Sequence, residues 1–467
     1  MLNVHLRITD AATGRPTPVR VRVAGPDGTH FPPLGRAAEF PGGRNEDVGG
    51  HLRLGRERWL YIDGACEVPL PAGVSLLVQA AKGPEYVPLD ETATLGAGQI
   101  ALRFALHRWT DSRCDGWVSV DTRCHFLAPH AALLEAQAEG IDVVNVLAVP
   151  FPVLALDANT YTTTPNLLAF SGQEAALERD GCSVVVNTLN AHPVLGKVAL
   201  LHSHRPVFPL TFGGEDTDDW GVCDWCDQCH RKKGLTVWVD AFEPAAGVTG
   251  GEALVAAILG KIDAIEVTGE PRKVPLLPWV YRLWDAGFRV PLVGASGKDS
   301  NRGVLGAVRT YANAGGGSWV EAIRAGRRFV SAGPLFDYLL EGGRVRASGR
   351  APGSHGKLEV VANGEVVAAA EARSAPEGTH LRAEIDAPAP EQGWVAVRWG
   401  GGAGFAHTAP MAVGSPARKP EAAAALRKLV EQTREWAGAN GRYANPKRKQ
   451  ALLDRCEEAA RKLEAPA

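Results

Sequence analysis

The chain alternates between two hydrophobic rhythms. Up to about residue 110, apolar positions recur every second residue in short runs, among them VHLRIT, VRVRVAG, GVSLLVQAA and QIALRFALHRW. Turn residues such as Pro26-Asp27-Gly28 interrupt them. A period of two places alternate side chains on one face of a strand, and runs this short predict a small β-sandwich. From about 115 to 335 a helix-like stretch ends in Gly and a β-branched apolar run follows at once. The instances are LLEAQAEG-IDVVNVL, CHRKKG-LTVWVD, LVAAILG-KIDAIEV, YRLWDAG-FRVPLVG and EAIRAG-RRFVSAG. Gly just past a helix, then a strand apolar on both faces, is the sequence form of an αβ unit. VSVDTRCHF, CSVVVNTLN and KVALLHSH add further strands. No Gly-rich phosphate loop follows an early strand, so a parallel TIM-like α/β barrel is expected rather than a doubly wound sheet.

After residue 336 the period of two returns, with VVANGEVVA as an Asn-Gly hairpin flanked by GKLEV and GWVAVRW. From residue 420 two helical stripes appear: Leu426, Leu429, Val430, Thr433 and Trp436, then Leu452, Leu453, Cys456, Ala459 and Leu463. The expected organisation is an N-terminal β-sandwich domain over 1–112, an α/β barrel over 113–335, a small C-terminal β-domain over 336–416 and a helical tail over 417–467.

Composition narrows the functions. The 467 residues are 45% hydrophobic and 22% charged, which excludes wholesale disorder. Lys plus Arg is 50 against 52 for Asp plus Glu, so a globally basic nucleic-acid binder is excluded. No apolar run reaches the ~18 residues of a membrane span. Arg7 and Asp10 interrupt the N-terminus before a secretory h-region forms, so a cytoplasmic protein with its eight cysteines reduced is expected. The expected partner is a small-molecule substrate or an anionic ligand. The sequence does not set the oligomeric state.

Cys226-Asp-Gln-Cys229-His230 matches a c-type haem attachment pattern, but that chemistry requires export. Cys223, Cys226 and Cys229 recur at helical spacing beside Trp220 and Trp225, which reads more simply as a buried helix face. Neither haem nor a nucleotide cofactor is expected.

Parallel barrels carry their chemistry at the C-terminal strand ends. Read there, the chain offers Asp121, Arg123 and His125 on one strand face, Asn145, then Asn187 and Asn190, then His202 and His204, then Asp240, Glu266 and the Gly294-Ala-Ser-Gly-Lys298-Asp299 loop. GWVSVDTRCHF resembles the first motif of the CehA/McbA-type metallohydrolases, a family with a PHP-like (polymerase and histidinol phosphatase-like) barrel. FSGQ, VLGKVALLHSHRPVFPL, WCDQCHRKKGL and GASGKDSN are similar to further segments of that family, as are YIDGACEVPLPAG and KGPEYVPL near the N-terminus.

The resemblance implies divalent-metal hydrolysis of amide, carbamate or ester bonds with Zn, Mn or Mg. Residue by residue it carries over to Asp121, His125 and Asp299 as metal ligands, with Asp240 as a substitute ligand. His125, His204 and Asp299 would serve catalysis, and Arg123, Lys197, His202 and Lys298 would bind substrate. The chain departs from the family pattern at Arg123, where the first His of a His-x-His pair stands, and at Lys197, where Gly-His is usual. A guanidinium ~4 Å from a dication is repelled by roughly 8 kcal/mol at an effective dielectric of ~20. Two functions follow as expectations: a metal-dependent hydrolase with reduced ligation, or a catalytically degenerate barrel that binds an anion or small molecule or serves as a scaffold. Arg123 is expected to pair with Asp121, Asp240 or Asp299.

Overall fold

The computed structural model describes residues 1–40, 42–43, 48–149, 170–214, 217–270, 272–402, 404–415 and 417–464, and the fold is mixed α/β. The N-terminal strands form two sheets. One holds Leu2–Asp10, Ala65–Leu70 and Ala101–Leu106, and the other has five strands between Val19 and Thr94. Their alternating inward residues, including Val4, Leu6, Ile8, Val21, Val23, Val68 and Val78, share one core.

Nine strands build the central part. They are β1 (Trp117–Cys124), β2 (Val143–Ala148), β3 (Cys182–His192), β4 (Gly196–Leu201), β5 (Leu235–Val239), β6 (Ala264–Val267), β7 (Leu292–Gly294), β8 (Arg309–Asn313) and β9 (Arg328–Ser331). The helices are α1 (Pro129–Glu139), α2 (Val222–Arg231), α3 (Gly251–Ile258), α4 (Leu276–Asp285), α5 (Trp319–Arg324), α6 (Pro420–Ala439) and α7 (Pro446–Glu464). Strand order is β7-β6-β5-β4-β3-β2-β1-β8-β9. β1, β2 and β3 pair in parallel, as do β5, β6 and β7.

The expected parallel barrel, closed or nearly closed, differs from the structure on two counts. β4 runs antiparallel to both β3 and β5. The reason is connection length. His192 and Gly196, which end β3 and begin β4, are paired directly across a short turn. A parallel return would need a crossover of a dozen or more residues. Nor does the ladder close among the described residues, since β7 stands at one end of it. Two side-chain hydroxyls nevertheless tie β7 to the far side. Thr122 Oγ1 donates to the Gly294 carbonyl at 3.0 Å, and the Gly294 N–H donates to Thr310 Oγ1 at 2.7 Å.

Beyond β9 the same sheet continues through Ala406–Thr408, Gly393–Gly400, Lys357–Ala362 and Glu365–Glu371. The division expected at 335/336 is therefore bridged by hydrogen bonds between Phe329–Ser331 and Ala406–Thr408. A further four-stranded sheet, built on Leu335–Glu341, Arg344–Ala351 and Leu381–Pro388 with Arg373–Ser374, packs on this extension. β8 lies outside the strands expected from sequence.

Helices α2, α3 and α4 cover one face, and α6 with α7 packs over α3 and α4. Leu426, Leu429, Val430 and Thr433 are buried, as are Leu452, Cys456, Ala459 and Leu463. Cys223, Cys226 and Cys229 are fully buried on α2 beside Trp225, as the helical spacing predicts. Gly234 was expected to supply a left-handed turn after this helix. Lys233 takes that conformation instead, at φ 62°. Gly234 is required by close packing: a Cβ there would meet Cys229 Sγ at 2.4 Å and the Leu201 carbonyl at 2.9 Å. Among the described residues no helix is long and apolar enough to cross a membrane.

Candidate functional site

The ends of β1, β2, β3, β5, β6 and β7 and the start of β4 gather at one end of the central sheet. Arg123 stands at its centre, almost fully buried. Its guanidinium is bidentate on Glu266, with Nε to Oε2 at 2.8 Å and Nη2 to Oε1 at 2.9 Å. Nη2 also reaches Glu270 Oε2 at 3.2 Å. The expected partners Asp121, Asp240 and Asp299 are thus not the ones used. β6 supplies Glu266 from a fully buried position facing β1, and a paired fork satisfies both charges. Burial pushes the Glu266 carboxyl up, and the guanidinium across both its oxygens pulls it back.

Arg123 also fixes His125. Its Nη1 lies 3.2 Å from His125 Nε2, and His125 Nδ1 lies 3.1 Å from the Leu147 carbonyl. A carbonyl only accepts and a guanidinium only donates, so the tautomer carries its proton on Nδ1. The Nε2 lone pair, the one a metal would take, points at Arg123.

Asp121 is fully buried and serves the backbone. Oδ1 accepts from the N–H groups of Arg123 at 3.2 Å and Ser296 at 3.0 Å, and Oδ2 accepts from Gly306 at 2.9 Å. Burial raises its pKa, opposed by these bonds. The 295–303 loop is sewn onto β1 the same way. Gly297 N–H donates to the Arg123 carbonyl at 3.0 Å, and His125 N–H donates to the Lys298 carbonyl at 2.7 Å. Gly297 sits at φ 65°, and a Cβ there would lie 3.1 Å from both Arg123 Nη2 and Glu270 Oε1. Lys298, expected at the substrate, points away from the pocket. Its Nζ is buried between Glu135 Oε2 at 3.1 Å and the Gly303 carbonyl at 2.7 Å. Asp299 is half-buried in the same loop.

The antiparallel course of β4 splits the remaining candidates. Lys197, at its start, meets the end of β5, where Nζ bonds Asp240 Oδ2 at 2.7 Å. Burial works to raise the Asp240 pKa, but Lys197, Arg123 and Arg272 hold it below the usual carboxylate range. His202 and His204 follow the other end of β4, where Leu201 pairs with Leu235, the first residue of β5. They sit at the opposite end of the sheet. His202 lies edge-on to Trp319 at 6.2 Å, and burial together with Arg324 lowers its pKa. His204 is exposed. Neither joins Arg123.

A pocket of about 500 Å³ opens beside the Lys197–Asp240 pair. Trp238, Phe242, Glu243, Glu270, Arg272 and Lys273 line it. Sequence reading missed Glu270 and Arg272, which lie past the end of β6; Gly269 before them was the available turn signal. Arg272 Nη2 donates to the Ala241 carbonyl and lies 3.5 Å from Glu243 Oε1, while its Nε is buried without a hydrogen-bond partner among the described residues. His192, also missed, closes the pocket rim. Its Nδ1 accepts from Val194 and Leu195 N–H at 3.2 and 3.0 Å, and Nε2 donates to Asp218 at 2.9 Å. Non-glycine residues take left-handed backbone at Phe126, Asp240, Phe242 and Ala246, all following β1 or β5 at this end. Such residues cost on the order of 1–3 kcal/mol each and cluster at functional sites.

No family model, curated protein or solved structure matches this chain.

The expected metal ligands can be tested against this geometry. Both Asp121 oxygens hold backbone N–H groups, His125 Nε2 faces a guanidinium, and Asp240 holds an ammonium. Among the described residues no group of three or more His, Cys, Asp or Glu has metal-ligand spacing. As Asp121, His125 and Asp240 are held, by backbone amides, a guanidinium and an ammonium, these three do not fit a divalent metal.

Proposed function

We propose that this chain is a CehA/McbA-type barrel in which the Arg123 guanidinium stands where relatives hold metal charge, and that its pocket binds a small anionic molecule rather than hydrolysing one. The observation that carries this reading is the Arg123 fork on Glu266, with the His125 lone pair aimed at the same guanidinium. The hydroxyl bridges from Thr122 and Thr310 to Gly294 support a barrel-like curvature of the sheet. The anion preference rests on the pocket's cations. Lys197 is about a third exposed, and among the described residues Arg272 keeps a buried Nε without a hydrogen-bond partner although its Nη2 lies 3.5 Å from Glu243. An incoming carboxylate or phosphate would take Lys197 from Asp240 and engage Arg272, in charge-assisted bonds worth ~1.5–3 kcal/mol each. Phe242 and Trp238 supply an apolar wall.

Calorimetric titration with a panel of small carboxylates and phosphates tests the reading. Binding is expected, with about tenfold weakening in Lys197→Ala, and no change after dialysis against a chelator. Stoichiometric tightly bound metal in the purified protein, with chelator-sensitive hydrolysis of a carbamate or ester, would instead establish the metal-dependent hydrolase.

A further inference from the structure

The end of the sheet opposite Arg123 carries positive charge that the pocket does not use. Three elements meet there. The antiparallel course of β4 delivers the segment 202–208, α2 runs out in Arg231-Lys232-Lys233, and α5 ends at Arg324. Hydrogen bonds fix how close they lie. His204 N–H donates to the Lys232 carbonyl at 3.1 Å, Lys232 Nζ donates to the Pro206 carbonyl at 2.7 Å, and Arg324 Nη2 donates to the Gly234 carbonyl at 2.6 Å. Arg205, Arg231, Lys233 and Arg324 are exposed. Among the described residues neither these four nor Lys232 makes an ion pair. The nearby acids Asp263 and Asp227 are held by His230 and Lys261, and Glu174 and Glu321 are exposed. Cations after a helix offset its dipole, but Arg205 and Arg324 come from other elements. The charge is also unopposed where it can be sensed. Burial with Arg205 and Arg231 pushes the Lys232 pKa down, as burial with Arg324 does for His202. Aromatic surface adjoins the cations. Phe208 is 45% exposed, and the partly exposed Trp319 stands edge-on to His202.

We propose that this end of the sheet is a binding surface for single-stranded nucleic acid, with phosphates on Arg205, Arg231, Lys233 and Arg324 and bases against Phe208 and Trp319. The net charge of the chain is -2, so the attraction is local to this surface. Unpaired cations release counterions when they meet phosphates, and every base has a flat face that stacks on an exposed ring. A duplex hides those faces and is read by an element that enters a groove. Here loop 202–208 and two helix C-termini present no such element. An acidic protein segment would satisfy the cations but leave the aromatic side chains unused. The inference does not depend on the pocket beside Lys197.

The test is fluorescence anisotropy of a labelled 20-nucleotide single strand with the full chain, titrated at several salt concentrations. Binding is expected at low salt and should weaken steeply as salt rises. Arg231→Gln with Lys233→Gln should weaken it about tenfold and flatten the salt slope by about 1.4, at ~0.7 per phosphate lost. Phe208→Leu should weaken it about fivefold with the slope unchanged, because stacking carries no charge. Lys428→Gln with Lys447→Gln, exposed on the tail helices, is the control for general charge and should change neither. Circular dichroism checks that each variant is folded. No binding at low salt overturns the proposal, as does equal affinity for the matching duplex or for polyglutamate. So does unchanged affinity in Phe208→Leu, or a loss in the tail control as large as in Arg231→Gln with Lys233→Gln.

Discussion

The Arg123–Glu266 pair makes a sharp prediction, because its two halves fail differently when separated. In Glu266→Gln the guanidinium stays charged, since arginine does not deprotonate at ordinary pH. It retains only Glu270, which is itself 39% exposed, and His125. Breaking a buried pair from one side costs ~3–5 kcal/mol. At a urea slope of ~3 kcal/mol per M that moves the unfolding midpoint down by about 1–1.7 M. In Arg123→Met the stranded group is a carboxylate that can take up a proton. Burial, with the Asp240 and Glu270 charges beside it, then raises the folded pKa of Glu266 above its unfolded value. A carboxyl raised on folding binds more protons folded than unfolded, so stability falls as pH rises, by up to ~1.4 kcal/mol per unit. Arg123→Met should therefore be nearly as stable as the parent at about pH 5 and markedly weaker at about pH 8, while Glu266→Gln is weak at both. The double variant Arg123→Met with Glu266→Leu should recover most of the loss, since apolar replacement of a whole buried pair is often neutral. Tryptophan fluorescence in urea at the two pH values reads all three. Equal pH dependence of the two single variants, or no midpoint change in Glu266→Gln, would refute the assigned pairing.

Other outcomes follow from the same geometry. Arg123→His should raise the divalent metal retained after gel filtration, measured by elemental analysis, because it removes the donor facing His125 Nε2. Asp121→Asn should lose ~1–3 kcal/mol in denaturant, because an amide –NH₂ would face a backbone N–H donor at Arg123, Ser296 or Gly306. The depressed Asp240 carboxyl contributes stability above its unfolded pKa that is lost as pH falls through its folded value, so Lys197→Met should soften acid unfolding while costing under ~1 kcal/mol near neutrality. Cys226→Ser should destabilise by ~1–3 kcal/mol, because it buries a hydroxyl where α2 packs on the core.

Local pattern made most elements legible. The two helical stripes of the tail and the buried cysteine face of α2 follow from period alone. Strand direction was less accessible. β4 is as apolar as its neighbours, and only the brevity of the turn from His192 to Gly196 reveals that it reverses. That reversal decides the site. It carries Lys197 to the pocket and His202 with His204 to the far end, although all three share one segment. Arg123 was recognised as the odd residue at the mouth, but its partner was not. Glu266 sits 143 residues away, and nothing local distinguishes it from other acidic strand ends. Pairings that form across a sheet depend on which strands become neighbours, which residue chemistry alone does not encode.

The ladder that runs from Phe329–Ser331 into Ala406–Thr408 sets what can be treated as a module. A chain cut after residue 335 would leave β9 with an open row of amides, an invitation to stick to other chains. Ser331 and Ala406 are also 75 positions apart, 406 minus 331, so their pairing closes a long loop. Loop closure grows costlier only slowly with length but delays contact formation. The smallest piece transplantable with this pocket intact therefore runs from about residue 113 through these strands to the tail helices that pack over α3 and α4. The C-terminal strands are its outer wall, to be inherited together with the chemistry they never touch.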